Sequence, residues 1–566
     1  MAGYAGKSIR VDLGTGEIVA YPTPQELREQ FIGGRGFGMA MIAERITRSY
    51  DDPEMPLIFA TGPLVGTAAP TSGRMSVISR SPLTGTVCDC SVGGRFGTEL
   101  KKAGYDCIEI TGTSDRWVVL DIRNGAVTLE DASHLYGKNN SVIRESLGGE
   151  GSFAAIGIAG ERKVRFASIV FDGHYLAGRG GLGAVMGAKR LKAVRVRGEG
   201  GVTVARPDML KTAREEIMRL LRTSPAVFGE FGLSEFGTAA LVDLIHARRM
   251  EPTDNFKKTL FPHASRYSGY TLKTHYKAKK TGCAGCPILC KKVGAGGEVI
   301  PEYETVSHFG ALNNCEDMAA IIEANRVCNE YGLDTISAAS TIACFSEIRG
   351  SMLSPGEMIE KLVAIGCREK GDGEALAEGS LRYATSQGAP ELSMSVKGLE
   401  LPAYDPRGAY GMALAYATSN RGGCHLRAYP ISHEILRKPV STDRFSFEGK
   451  ARIIKIAEDL NAVIDSLTAC KFVFFAASLE EYAKAVSAVT GERHDVQSLL
   501  RTGERIWNLE RRLNEANGFN ETHDDLPPRF FTEEGSSGAH VRIAPLDREA
   551  FLQAREKYYR IRGYRS

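Results

Sequence analysis

The chain has 566 residues, with Lys+Arg 71 against Asp+Glu 68 and a formal net charge of +3, a balance that gives no electrostatic footing for nucleic-acid binding. Its hydrophobic fraction of 43% and charged fraction of 25% are those of an ordinary soluble protein, and its length predicts two to four domains. No apolar run spans a bilayer, the N-terminus lacks the apolar stretch of a signal peptide, and twelve cysteines without such a signal predict a reducing, cytoplasmic setting with free thiols.

Taken in chain order, the pattern predicts an α+β multidomain protein. Residues 1–205 read as β-rich, with strand patterns at Lys7–Asp12, Leu57–Ala60, Met75–Ser79, Cys107–Thr111, Trp117–Asp121 and Lys192–Val196. From 206 to 400 apolar residues recur at helical spacing, in Leu210–Leu221, Met318–Glu330, Ser337–Glu347 and Glu357–Glu369. A break near 395–405 precedes a third, mainly helical part, 401–566, which includes Ala451–Leu467. There is no solenoid repeat and no low-complexity tract.

The β-rich part is dense in glycine. Gly178-Arg-Gly-Gly-Leu-Gly183 matches the dinucleotide fingerprint letter for letter. A Rossmann site also needs a strand directly before the loop and a helix opening from it; Asp172–Ala177 intervenes, and only a short segment follows before Gly187. Three further patches, Gly33–Gly38, Gly62–Arg74 and Ser91–Gly97, also couple bare backbone N–H groups to an arginine. Amides and guanidinium forks both suit phosphate oxygens. One such patch reads as a tight turn with a surface arginine; four in one domain predict a large phosphorylated cofactor.

The most specific motif is Cys283-Ala-Gly-Cys286-Pro-Ile-Leu-Cys290. A CxxC pair with a third thiol four residues on suits an iron–sulfur cluster, whose cubane form takes four thiolates, so one ligand comes from elsewhere. The x2, x3 spacing reverses the order found in radical enzymes that cleave S-adenosylmethionine. Structural zinc is the competing reading, but it takes two compact ligand pairs, and no second pair follows.

These blocks together resemble the tungsten-dependent aldehyde:ferredoxin oxidoreductase family. The similarity runs through Arg10-Val-Asp-Leu-Gly-Thr-Gly16, Ala69-Pro-Thr-Ser-Gly-Arg74, Ser81-Pro-Leu-Thr-Gly85 and Ala177–Gly187. It continues through the cysteine run, Pro301-Glu-Tyr-Glu304, Tyr404-Asp-Pro-Arg-Gly408, Ala417–His425 and Gly503-Glu-Arg-Ile-Trp-Asn508. The resemblance implies a β-rich, pterin-binding N-terminal domain and two mainly helical domains. It also implies one [4Fe–4S] cluster, tungsten held by two pterins, and oxidation of an aldehyde to a carboxylic acid with ferredoxin or a ferredoxin-like subunit as electron acceptor. Molybdenum is equally compatible, because the pterins supply the metal's ligands.

By the same resemblance Cys470, closing Asp465-Ser-Leu-Thr-Ala-Cys470, is the fourth cluster ligand, and Asp465 meets a pterin edge. The partner motif is Asn329-Glu-Tyr-Gly-Leu-Asp334, with Asn329 where aspartate is usual and Asp334 retained. Glu304 and His425 match the family's pair beside the metal. A carboxylate and an imidazole suit proton removal and carbonyl polarisation; outside that context Glu304 reads as a solvated charge and His425 as a core histidine. Arg427 takes the place of a lysine that meets the cofactor phosphates. Arg74 and Arg179, with Ser91, Gly93, Gly94, Gly180 and Gly181, are expected to hold those phosphates through a bridging Mg2+.

Three departures carry expectations of their own. Thr468-Ala469 replaces a Gly-Leu pair, which changes local packing. The Glu-x-x-His pair that binds a metal between family dimers is here Glu323-Ala-Asn-Arg326, so any homodimer is expected to lack that metal. Tyr303, His308 and Cys315 are candidates for the substrate pocket; a thiol at the metal would favour a benzoyl-coenzyme A reductase-like subunit that reduces an aromatic ring. A further alternative is an electron-transfer subunit without pterin chemistry.

Overall fold

The computed structural model describes residues 2–564. Two six-stranded sheets lie between Lys7 and Arg197. The first is built from β1 (Lys7–Asp12), β2 (Ile18–Pro22), β3 (Leu57–Ala60), β4 (Met75–Arg80), β5 (Val87–Val92) and β6 (Cys107–Thr111), in the order β2-β1-β6-β3-β4-β5. The second contains β7 (Val118–Arg123), β8 (Ala126–Asp131), β9 (Ser152–Ala155), β10 (Ile169–Phe171), β11 (Tyr175–Ala177) and β12 (Leu191–Arg197), in the order β11-β10-β9-β12-β7-β8. Only β1/β6 and β12/β7 run parallel.

The central strand β3 is buried on both faces, and so reads as an unbroken apolar run. In β3, Leu57 and Phe59 face the second sheet, with Phe96 and Phe171 packed around Phe59. Ile58 and Ala60 face the opposite way, onto the helix Gly34–Ile42. The far face of the second sheet is covered by the helix Asn140–Leu147 through Ile143 and Leu147.

After Arg197 the chain is helical apart from two short hairpins. The five helical windows expected from periodicity appear as Pro207–Thr223, Met318–Tyr331, Thr335–Arg349, Pro355–Cys367 and Lys450–Leu467. Their ends follow local capping. Ser354 and Glu357 form a capping box before Pro355–Cys367, and Arg368, at φ 49°, ends that helix two residues earlier than its pattern suggests. Among the described residues no helix is long and apolar enough to cross a membrane.

The N-terminal layer meets the C-terminal helices through backbone. A Cβ at Gly62 would lie 2.6 Å from Leu467 O, and one at Gly33 would lie 2.8 Å from Ser466 O. The end of Lys450–Leu467 therefore sits directly on the glycine loops. Beside this contact the fully buried Arg35 donates to both carboxylate oxygens of Glu510, at 2.6 and 2.7 Å. Arg35 also lies 3.4 Å from Asp465 and over the Trp507 ring.

Removing one member of a buried ion pair leaves the other charge uncompensated, at a cost of about 3–5 kcal/mol. Arg35→Leu is expected to lower stability in urea denaturation by that order, with Glu510→Gln alone costing less. Wild-type stability in Arg35→Leu would contradict the pairing.

Candidate active site

The two helix ends named by the sequence motifs are built alike. Met318–Tyr331 ends at Gly332, φ 76°, with Asn329 in its last turn and Asp334 two residues beyond. Lys450–Leu467 ends at Thr468, φ 54° and ψ 34°, with Asp465 in its last turn and Cys470 two residues beyond. Both caps are left-handed, where glycine is unstrained and an L-residue costs about 1 kcal/mol or more. Thr468 is retained there by its hydroxyl, which receives the Gly62 N–H at 3.2 Å and donates to Leu467 O.

The two ends converge on one cavity of about 1720 Å³, well above the roughly 300–1,000 Å³ of ordinary ligand pockets. Asn329, Asp334, Asp465 and Cys470 line it, as do Cys283, Cys286 and Cys290. Among the described residues no three His, Cys, Asp or Glu side chains close on a single point as one metal ion requires. The four thiols line this one cavity, where burial and neighbouring thiols raise the pKa of Cys286, Cys290 and Cys470. Burial and the neighbouring Cys470 push the Cys286 thiol up to about 11, and the same causes raise Cys290. Bound metal favours the thiolate form that this crowding opposes.

Arg74 stands beside the thiols. It donates to Ser91 Oγ at 2.9 Å and to Ser91 O at 2.6 Å. Burial would lower its pKa, but Cys470, Cys283, Asp465 and Cys290 together raise it. A Cβ on Gly93 would lie 2.5 Å from Cys283 Sγ, so the loop after β5 admits only glycine against the cluster thiol. Arg179 donates to Glu400 O at 2.6 Å and lies 3.4 Å from Asp334, while its Nε and Nη1 have no hydrogen-bond partner. Arg427 pairs with Asp89 and lies 3.6 Å from Asp465. Asp465 Oδ1, Arg421 Nε and Arg427 Nε are also buried without partners. These orphaned donors and acceptors, from residues on one cavity wall, fit a ring with amide-like edges and anionic phosphates.

Glu304 lies in the first turn of the helix Tyr303–Phe309. Its Oε2 accepts the Ala403 N–H at 2.9 Å, and its unpartnered Oε1 lies 3.4 Å from His425 Nε2. Burial pushes Glu304 up to about 8, against the Ala403 N–H and Arg179. Burial and the cations Arg179, Arg421 and Lys471 push His425 well down, so its imidazole is neutral. Tyr303, Tyr404 and Tyr429 line the same cavity, with the Tyr404 ring tilted and the Tyr429 ring edge-on to His425.

Not every expected residue reaches the cavity. Gly94, Gly180 and Gly181 lie behind its wall, at φ 102°, 80° and 88°, and serve the turns rather than the lining. His308 is fully buried off the wall, its Nδ1 2.7 Å from Glu304 O and its Nε2 3.1 Å from Leu401 O. Cys315 is a packed thiol near Asp317 O. Neither takes the pocket position expected of it; Tyr303 does. Cys424 also sits behind His425, where Arg421 and Arg427 overcome burial and hold it at about 7. Arg326 pairs with Glu323 at 2.6 Å.

Sequence reasoning missed Asp89, Arg421 and Lys471. Asp89 lies in β5 between Cys88 and Cys90. Although burial opposes it, Arg427, Arg35 and Arg421 hold its carboxyl well below the usual range. A charge inside an otherwise apolar strand was the available signal. Lys471, directly after Cys470, donates to Asp465 at 2.8 Å.

Residues 8–198 match the family model for the aldehyde ferredoxin oxidoreductase N-terminal domain, and residues 212–566 match that for its domains 2 and 3. A tungsten-containing aldehyde ferredoxin oxidoreductase of Pyrococcus furiosus is 40% identical over 100% of this chain and 97% of its own length. That of Thermococcus kodakarensis is 39% identical with the same coverage. Among solved structures, the active site complex of benzoyl coenzyme A reductase superposes with a TM-score of 0.83 at 24% identity, covering 99% of this chain and 95% of that one, a likeness of fold. With both family models matched in order and full-length relatives near 40% identity, the chain belongs to the aldehyde ferredoxin oxidoreductase family.

Proposed function

We propose that this protein is a tungsten bis-pterin oxidoreductase that oxidises an aldehyde to a carboxylic acid and passes the electrons through a [4Fe–4S] cluster to ferredoxin or a ferredoxin-like subunit. The observation that carries this reading is the Glu304–His425 pair, 3.4 Å apart, on the wall of the cavity that four cysteines share. The names of the relatives supply tungsten, aldehyde and ferredoxin.

Cys283, Cys286, Cys290 and Cys470 would hold the cluster. Asn329, Asp334 and Asp465 would receive the pterin ring N–H groups. Arg74, Arg179 and Arg427, with Ser91 and Gly93, would take the phosphates, which a Mg2+ ion would bridge. The bound tungsten cofactor supplies the two-electron redox step. The balance is aldehyde plus water to carboxylic acid, two protons and two electrons. Glu304, as carboxylate, takes a proton from the attacking water, and neutral His425 directs an N–H at the carbonyl oxygen. Neither Cys315 nor His308 is placed to support the ring-reducing alternative. A homodimer, if formed, would lack the Glu-x-x-His metal, because Arg326 occupies its place.

The test is aldehyde-dependent reduction of a viologen dye by anaerobically purified protein. Glu304→Gln is expected to lower kcat/KM by about 10²–10⁴, the range of a lost general base. The pH dependence has a definite sign: the base form is required and Glu304 titrates near 8. Wild-type kcat/KM should therefore climb as pH rises through about 8, and Glu304→Gln should lose that limb. A flat profile from pH 6 to 9, or full activity in Glu304→Gln, would contradict the assignment.

A further inference from the structure

From Asn255 to Gly297 the chain carries nine Lys and Arg and no Asp or Glu, although the whole protein is nearly neutral. The cluster thiols lie inside this basic stretch. The hairpin Lys279–Thr281/Lys291–Val293 pairs antiparallel and brackets Cys283, Cys286 and Cys290. At its tip Ala284 and Gly285 are exposed between two of those cysteines. A Cβ built at Gly285 meets nothing within 4 Å, so the thiol loop is covered here by one residue's thickness of backbone and then solvent.

Exposed cations surround this opening. Lys277, Lys279 and Lys280 precede the loop and are exposed. On its other side Ala284 N–H donates to Gly94 O at 3.3 Å, which brings the neighbouring Arg95, 52% exposed, alongside the tip. Exposed Arg144 lies beyond, against Gly173. The acids close to the rim are each engaged, two of them by its own cations Lys280 and Arg95. Glu235 meets both Lys273 and Lys280, and Glu302 meets Lys291 at 3.0 Å. Asp172 is 4.0 Å from Arg95, and Glu298 folds against Gly294 and Gly296. Lys277 and Lys279 therefore leave exposed positive charge on the segment that leads into the thiol loop.

We propose that the rim of Lys277, Lys279, Lys280 and Arg95 around Ala284–Gly285 is the docking site for an acidic, one-electron iron–sulfur carrier protein. The proposal deepens the reading above, on which it rests for the cluster. Each encounter oxidises the reduced cluster by one electron and reduces the carrier's iron by one, so two encounters clear the pair released from one aldehyde. Charges of opposite sign steer such an encounter and make its rate fall with salt, because the screening length is only about 8 Å at physiological ionic strength.

The test compares the wild-type holoenzyme with Lys277→Glu/Lys279→Glu, using a strongly acidic two-cluster ferredoxin and, separately, methyl viologen as acceptor. The charge reversals should lower kcat/KM for the ferredoxin at least tenfold and flatten its salt dependence. Viologen turnover should not fall, and Lys277→Gln/Lys279→Gln should give a smaller loss. Ferredoxin kinetics within twofold of wild type in the reversed variant would overturn the proposal. Should the wild type turn over no aldehyde, calorimetric binding of the same ferredoxin at low salt decides the matter independently. Binding that the reversals abolish supports the rim; equal binding, or none in the wild type, refutes it.

Discussion

Buried guanidinium groups that are only partly satisfied and line a common void are the constraint on which the rest of this structure depends. An unpaired guanidinium costs several kcal/mol in a protein interior, yet Arg179, Arg421 and Arg427 each keep at least one N–H without an acceptor. Asp89, Asp465 and Glu510 offset part of that charge. What remains points inward, and only an anionic occupant of the cavity would balance it. The residues come from both ends of the chain: Arg35 and Asp89 from the first sheet layer, Arg179 from the loop after β11, Arg421 onward from the C-terminal part. Assembly of these two layers and filling of the cavity are thus one electrostatic problem.

Two similar helix ends then divide the cavity. At each, a left-handed cap turns the chain so that a polar residue in the last turn and a second side chain two residues past the cap reach the same wall. At one end that second residue is Asp334; at the other it is Cys470. On the proposed function this difference would bring one of two like pterin seats beside the cluster, and Arg74 feels both Asp465 and the thiols. The seat carrying Thr468 replaces the freedom of glycine with two hydroxyl hydrogen bonds. The local strain is held by the same contact that docks the glycine loops.

Elements with a strong period are legible in the amino-acid pattern itself. The window Met318–Glu330 ends one residue short of the observed helix, and Ala451–Leu467 begins one residue late, because an amphipathic helix writes its buried face into the chain. β3 is legible as an unbroken apolar run. β5 is not, since Val87-Cys-Asp-Cys-Ser-Val92 buries a charge that only distant arginines explain. The cysteine run is visible from spacing alone, and Cys470 only from the resemblance. His308 shows the limit most clearly. It sits one helical turn from Glu304 and reads as a pocket residue, yet both ring nitrogens turn to backbone carbonyls. Pattern reports that two residues share a helix face, whereas the packing of the segment around Leu401 decides which of them meets the void.

The account thus has two electrons leave a substrate near Glu304 and His425 and travel toward Cys283, next to the exposed Ala284 and Gly285. Its central claim is that one cavity holds both a redox metal and a cubane. The most direct test is elemental analysis of protein purified anaerobically from cells supplied with both tungsten and molybdenum. The account predicts about one tungsten or molybdenum and about four irons per chain, the cubane count. Iron with neither tungsten nor molybdenum would contradict it and leave an electron carrier.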